Sequence, residues 1–200
     1  MRVTFPSGTL TLEGDLVSVD GATRGAVICH PHPQYGGDMH NSVVRAVAAA
    51  LVDTGHATLR FNFRGVGSST GSYSRGVGEA EDLRAAVRFL HERTAVRAVA
   101  LAGYSFGAMV TLQAGPAIPA ADRLIAVAPP LSFFSLACVA TSTLNKLFIV
   151  GDRDQYCSVA DLRQQLASVA EPKSERIVTG ADHFFVGHEA ALSAAVRSFA

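Results

Sequence analysis

Cysteine is scarce in this chain of 200 residues, which carries only Cys29, Cys138 and Cys157. An odd number without the spacing of a metal knuckle argues against a disulfide framework and against a zinc site, and fits a reducing compartment. An excess of one charge is also missing, since seventeen Lys plus Arg face seventeen Asp plus Glu. Neither a nucleic acid nor an anionic membrane surface is therefore an expected partner, and a small molecule is. No apolar run approaches the roughly 20 residues that span a bilayer. Met1–Gly8 has no basic stretch leading into an apolar one, so no leader is expected and the cytoplasm is the expected location. Internal repeats, low-complexity tracts and linker-like shifts in composition are absent as well. With 48% hydrophobic residues, positions 1–200 are expected to form one domain that buries both faces of a sheet.

What is present is an alternation of short aliphatic runs with stretches of helical period. The runs Leu10–Val17, Ala26–Cys29, Thr58–Phe63, Val99–Ala102, Leu124–Ala128, Leu147–Val150 and Arg176–Val178 read as strands. Between them lie apolar stripes at helical spacing: Val43, Val44, Val47 and Leu51; Leu83, Val87 and Leu90; Val159, Leu162, Leu166 and Val169; Leu192, Ala195, Val196 and Phe199. The pattern predicts an α/β fold, a mostly parallel central sheet with helices on both faces. Glu79, Glu81 and Asp82 open the second stripe and Arg88 and Arg93 close it, an order that complements a helix dipole.

The sharpest local signal is Gly103-Tyr-Ser105-Phe-Gly107, placed between the strand Val99–Ala102 and a helical run. G-x-S-x-G in a strand–turn–helix setting lifts a serine hydroxyl above the strand ends, and the tight turn requires small flanking residues. The bare pentapeptide arises easily by chance, and a serine there can merely cap a helix. A nucleophilic serine also needs a base and an orienting acid, which follow it in chain order in this architecture. Gly151-Asp-Arg-Asp154 follows one later strand and Gly180-Ala-Asp-His183 follows the next, both at the strand ends where Ser105 lies. His183 is thus the expected general base and Asp154 the expected acid, with Asp152 as the competitor. His56, His91 and His188 have no partner pattern and read as surface or helix-end residues.

The loop His30-Pro-His32-Pro-Gln-Tyr-Gly36-Gly37 follows the strand Ala26–Cys29, where a backbone N–H for a developing oxyanion is expected. Proline cannot donate, so the expected donors are the N–H groups of His32 and of Phe106, with Gln34 as the alternative to His32. His30 reads as a strand-end side chain bonded to a neighbouring loop. His30 and His32 lack a third ligand at suitable spacing, so no metal is expected.

Together with Leu59-Arg-Phe-Asn-Phe-Arg-Gly-Val-Gly-Ser68, Val127-Ala-Pro-Pro130 and Gly180-Ala-Asp-His-Phe-Phe185, these motifs make the chain resemble the α/β-hydrolase superfamily. Within it the resemblance is to small cap-less bacterial serine hydrolases related to dienelactone hydrolase, and it runs from about Val17 to Phe199. It implies an α/β-hydrolase fold without a cap domain. It likens His30-Pro-His32-Pro33 to the superfamily's His-Gly-x-Pro loop, which again selects His32 as donor. Two departures stand out: Asn62 where many relatives have Asp, and Tyr156-Cys157 where a Val-Pro pair is common. Ser105 replaces the cysteine nucleophile of dienelactone hydrolase, which argues against that substrate.

The expected activity is therefore carboxylesterase-like cleavage of a small acyl substrate through an acyl-enzyme, without metal or organic cofactor. A thioesterase, a small-peptide hydrolase or a perhydrolase would use the same groups, and a silent binding module on the same fold is the alternative from another class. Only Pro129 to Asn145 separates two parallel strands, which leaves almost no chain for a lid and predicts an open site suited to short acyl groups. Leu131, Phe133, Phe134 and Leu136 in that segment read either as a crossover packed on the sheet or as an apolar wall beside Ser105.

Overall fold

The structure, a computed structural model, describes residues 1–200. Eight strands form one sheet: β1 (Arg2–Ser7), β2 (Leu10–Val17), β3 (Arg24–Cys29), β4 (Ala57–Phe61), β5 (Ala98–Tyr104), β6 (Ala121–Val127), β7 (Asn145–Gly151) and β8 (Lys173–Val178). Their spatial order is β1-β2-β4-β3-β5-β6-β7-β8. β2 pairs antiparallel with β1 and β4, and all other neighbours are parallel. The helices are α1 (Ser42–Asp53), α2 (Val77–Arg93), α3 (Phe106–Ala114), α4 (Val159–Leu166) and α5 (Glu189–Arg197).

Every strand read from the sequence is present within a few residues, and the strand expected to reach Phe63 stops at Phe61. Beyond it the backbone leaves the ladder, because the Phe63 N–H donates to the His30 ring instead. β1 was not foreseen. Its residues alternate outward and inward, burying Val3 and Phe5, and Ser7-Gly8-Thr9-Leu10 turns it back onto β2. Pro6 is tolerated because β1 is an edge strand.

The central parallel strands β3, β5, β6 and β7 are buried along most of their length, as a sheet covered on both faces requires, whereas the edge strand β8 buries only Val178. One core lies beneath α2, α3 and α4, where Leu83, Val87, Leu90, Leu112, Leu162 and Leu166 meet Phe61, Leu101 and Phe148. The other lies beneath α1 and α5, where Val43, Val47, Leu51, Leu192 and Val196 meet Ile28, Ile125 and Ile149. Each fully buried aliphatic side chain contributes about 1.5–3 kcal/mol. Asn41 caps α1 by accepting the Val43 N–H, and Ser158 caps α4 through the Asp161 N–H. The acidic start of α2 does more than complement a dipole. Glu79 is buried and accepts the N–H groups of Ser74 and Gly76 at 2.8 and 2.7 Å. Asp82, also buried, binds Arg64 through both oxygens and accepts the Ser7 hydroxyl, which joins α2 to β1 and to the loop after β4.

Between β6 and β7 the chain makes turns and one 3₁₀ turn at Leu136–Val139, and no cap domain is inserted. No helix is long and apolar enough to cross a membrane.

Candidate active site

Parallel strands of such a sheet end at one edge, and the loops that leave this edge form the site. The turn between β5 and α3 holds Ser105 at φ 53° and ψ −115°, a backbone conformation that costs a non-glycine residue about 1–3 kcal/mol. Glycines flank it because nothing larger fits. A Cβ on Gly103 would lie 2.2 Å from the Gly107 carbonyl oxygen, and one on Gly107 would lie 2.4 Å from the Cys29 carbonyl oxygen.

The structure brings Ser105, His183 and Asp154 together although 78 residues separate the first two. Ser105 Oγ lies 3.0 Å from His183 Nε2. His183 Nδ1 lies 2.9 Å from Asp154 Oδ2 and 3.1 Å from Oδ1. Asp154 and His183 are both buried, while Ser105 is partly open. Asp154 Oδ1 also accepts the N–H groups of Tyr156 and Cys157, at 2.8 and 2.9 Å. This explains one departure from the relatives' pattern, since a proline at position 157 would have no N–H to give. Asp152 is exposed and accepts the Gly180 N–H at 2.8 Å, so it braces the histidine loop rather than the imidazole.

Tyr104, which the sequence reading passed over, donates its hydroxyl to the His183 carbonyl at 2.9 Å. Burial, with the charge of Asp154 next in weight, raises its pKa, which keeps it a donor. It ties the nucleophile turn directly to the histidine loop.

The N–H of Phe106 opens α3, where the first turn has no intrahelical acceptor. The His32 N–H likewise has no partner within the chain. The Gln34 N–H is engaged with His32 Nδ1 at 3.2 Å, which disfavours it as the donor. His30 sits where the sequence predicts, bonded to a neighbouring loop: Nδ1 lies 2.6 Å from the Pro31 carbonyl, and Nε2 accepts the Phe63 N–H at 3.0 Å. Burial pushes its pKa down to about 4, so the ring stays neutral and both bonds persist at neutral pH. His32 Nε2 lies 3.1 Å from the Tyr73 hydroxyl, and both rings pack against Phe106.

The second departure, Asn62, is explained from β2. Its Nδ2 donates to Glu13 Oε1 at 2.7 Å while its Oδ1 accepts the Met39 N–H at 2.8 Å. Position 62 faces the Glu13 carboxylate and therefore must donate to it.

One reading is corrected. His56 is buried rather than on the surface, with Nδ1 3.1 Å from the Thr54 hydroxyl, because the start of β4 is covered where α1 ends. His91 and His188 do lie on α2 and at the start of α5. The Cys157 thiol is buried, and burial followed by the Asp154 charge pushes its pKa up to about 12. The segment after β6 divides between its two readings, since Leu131 and Leu136 pack into the core while Phe133 stands out beside Tyr156.

Strand order, nucleophile turn and the absence of an inserted cap define a cap-less α/β serine hydrolase. The family model Hydrolase_4, described as serine aminopeptidase S33, matches residues 26–148, and the chain belongs to that family. An uncharacterized protein of Rickettsia prowazekii is 32% identical over 183 residues, 87% of this chain and 77% of that protein. An α/β serine hydrolase homologue from Coxiella burnetii superposes with a TM-score of 0.92 at 34% identity, covering 100% of this chain and 97% of that one. A Xanthomonas campestris α/β serine hydrolase described as without lid gives 0.87 at 32% identity, covering 99% and 92%.

Proposed function

We propose that this chain is a carboxylesterase-like hydrolase of small acyl substrates, with Ser105 as nucleophile, His183 as general base and acid, and Asp154 as the group that orients His183. The observation that carries the reading is the unbroken hydrogen-bond chain Asp154–His183–Ser105, beside two N–H groups without partners.

Acylation begins when neutral His183 takes the Ser105 proton at Nε2 as Oγ attacks the ester carbonyl. The buried Asp154 carboxylate stabilises the imidazolium, and its two backbone N–H bonds hold it in place. The carbonyl oxygen becomes an oxyanion and accepts from the N–H groups of His32 and Phe106, each such donor contributing about 3–4 kcal/mol at the transition state. His183 then gives its proton to the departing alcohol. Water, deprotonated by the same nitrogen, releases the acid from Ser105. The mechanism needs no metal or organic cofactor. Three free cysteines, two of them buried, fit a reducing cytoplasm.

The peptidase description of the family favours one second reading, an amide as substrate, which would leave by the same proton transfer. The test is a fluorophosphonate probe followed by mass spectrometry. Adduct formation on Ser105, abolished in Ser105→Ala, is the expected result. A folded wild-type protein that takes up no probe would overturn the reading in favour of a silent module.

A further inference from the structure

The apolar surface of this protein is unevenly exposed. Of its large hydrophobic residues only Met1, Val17, Tyr35, Val77, Phe133, Tyr156, Phe184 and Val186 are substantially open to solvent. Three of these eight are joined to His183 ring by ring. Tyr156 packs edge-on to the His183 imidazole at 4.8 Å, Phe184 edge-on at 5.7 Å, and Phe133 lies 6.2 Å from Tyr156. Phe133 is 79% exposed, Phe184 52% and Tyr156 37%. Scattered single residues of this kind need no explanation, but a contiguous patch at a reaction centre does.

The patch is built rather than loose. The Ser132 N–H and hydroxyl both donate to the Tyr156 carbonyl, at 3.0 and 3.1 Å, which locks the segment of Phe133 to that of Tyr156. The Phe184 N–H donates to Asp182 Oδ1 at 2.9 Å, and the next residue, Phe185, is fully buried and anchors the loop. Two loops thus set rings against His183, and a third extends that surface outward through Phe133.

The chemistry decides which part of a substrate meets these rings. When the bond between the acyl carbon and the alcohol oxygen breaks, that oxygen must lie within hydrogen-bond reach of His183 Nε2 to receive the proton taken from Ser105. The carbonyl oxygen meanwhile points to the His32 side. The substituent on the departing oxygen therefore extends over the His183 side of Ser105. We propose that Phe133, Tyr156 and Phe184 form a leaving-group subsite that selects esters of an alcohol carrying a flat aromatic ring. Selectivity then resides in the alcohol rather than in the acyl chain. The inference rests on the serine-esterase reading above.

The test compares acetates of alcohols with nearly equal leaving ability. kcat/KM is expected to rise roughly tenfold from 2-methylpropyl to benzyl acetate, as ring burial against aromatic walls predicts. Cyclohexylmethyl acetate should fall between them. Exchanging acetate for phenylacetate at a fixed 2-methylpropyl alcohol should give no such rise. In Phe133→Ser and Phe184→Ser, whose side chains are exposed and whose folding is checked by circular dichroism, the benzyl to 2-methylpropyl ratio should move toward one. A flat alcohol series in wild type, a ratio untouched by both substitutions, or a preference on the acyl side overturns the proposal. So does a dimer in sedimentation that Phe133→Ser dissociates without changing the ratio, which would make the rim an interface between copies. Probe labelling at Ser105 with a flat alcohol series refutes the subsite alone, whereas absence of labelling refutes the esterase reading beneath it.

Discussion

Asn62→Asp restores the residue that many relatives carry and should nevertheless destabilise this chain, by an amount that grows with pH. In the native protein Glu13 Oε1 receives two donors at 2.7 Å, Asn62 Nδ2 and the Ser68 N–H, and Oε2 binds Arg2 at 3.1 Å. Burial pushes the Glu13 pKa up, but the bonds from Ser68 and Asn62 and the charge of Arg2 outweigh it and leave it lowered. An aspartate at position 62 would keep the Met39 bond with one oxygen and turn the other toward Glu13. Two carboxylates about 4 Å apart at an effective dielectric of about 20 repel by about 4 kcal/mol. The repulsion is relieved if the pair shares a proton. The native variant then holds a proton that the unfolded chain, with carboxylate pKa values near 4, releases. Where the native state binds more protons, stability falls as pH rises. The penalty therefore grows by about 1.4 kcal/mol per pH unit above pH ~4 until it levels off near 4 kcal/mol around neutrality. For a domain of this size each kcal/mol shifts Tm by roughly 2–4 °C, so the variant should melt about 8–16 °C below wild type at pH 7.5 and only a few degrees below it at pH 5. Circular-dichroism melts of both proteins across that range measure the difference. A gap that is constant with pH, or that widens toward acid, would refute the assignment of Glu13 as the facing carboxylate.

Asp154→Asn should lower kcat by several orders of magnitude, whereas Asp152→Asn should cost less than tenfold, because only Asp154 touches His183; steady-state kinetics on folded variants give the ranking, and the reverse order would move the acid to Asp152. A soluble disulfide reagent should titrate one thiol per native chain, the exposed Cys138, without loss of turnover, since Cys29 and Cys157 are buried with thiols pushed up to about 12; rapid inactivation that substrate prevents would place a thiol in the site. With a fixed nitrophenyl leaving group, kcat/KM should level off at acyl chains of roughly two to six carbons, because no cap buries a longer one; a steady climb to long chains would reveal an apolar tunnel.

Much of the candidate site was legible because its residues obey local rules. Ser105 declares itself through the glycines of a tight turn, and Asp154 and His183 through their places just past strand ends. The parallel strands were legible as apolar runs, while β1 was hidden by Pro6 and by an alternation too short to separate from a loop. What escaped was what depends on distant pairing. Nothing near Tyr104 indicates that its hydroxyl meets the carbonyl of a residue 79 positions later. Nothing near Asn62 indicates that Glu13, 49 positions earlier, faces it with a carboxylate. Phe133 and Leu136 belong to one apolar run, and only tertiary packing sends the first to solvent and the second to the core.

The long-range contacts also explain why local rules suffice for the site itself. The second glycine of the nucleophile turn, Gly107, is required less by the bend at Ser105 than by the backbone of β3: its Cβ would meet the carbonyl oxygens of Cys29 and His30 at 2.4 and 2.6 Å. The contact sets the start of α3 against the end of β3, where the His32 ring packs on Phe106 at 5.0 Å. His30 then fixes that loop from the other direction, holding the Pro31 carbonyl and the Phe63 N–H with its two ring nitrogens. A glycine, a neutral buried histidine and a strained serine thus meet in one interlocked unit. A sequence that satisfies the steric demand of the serine turn thereby also seats, through the same glycine, the loop that carries the proposed donor His32.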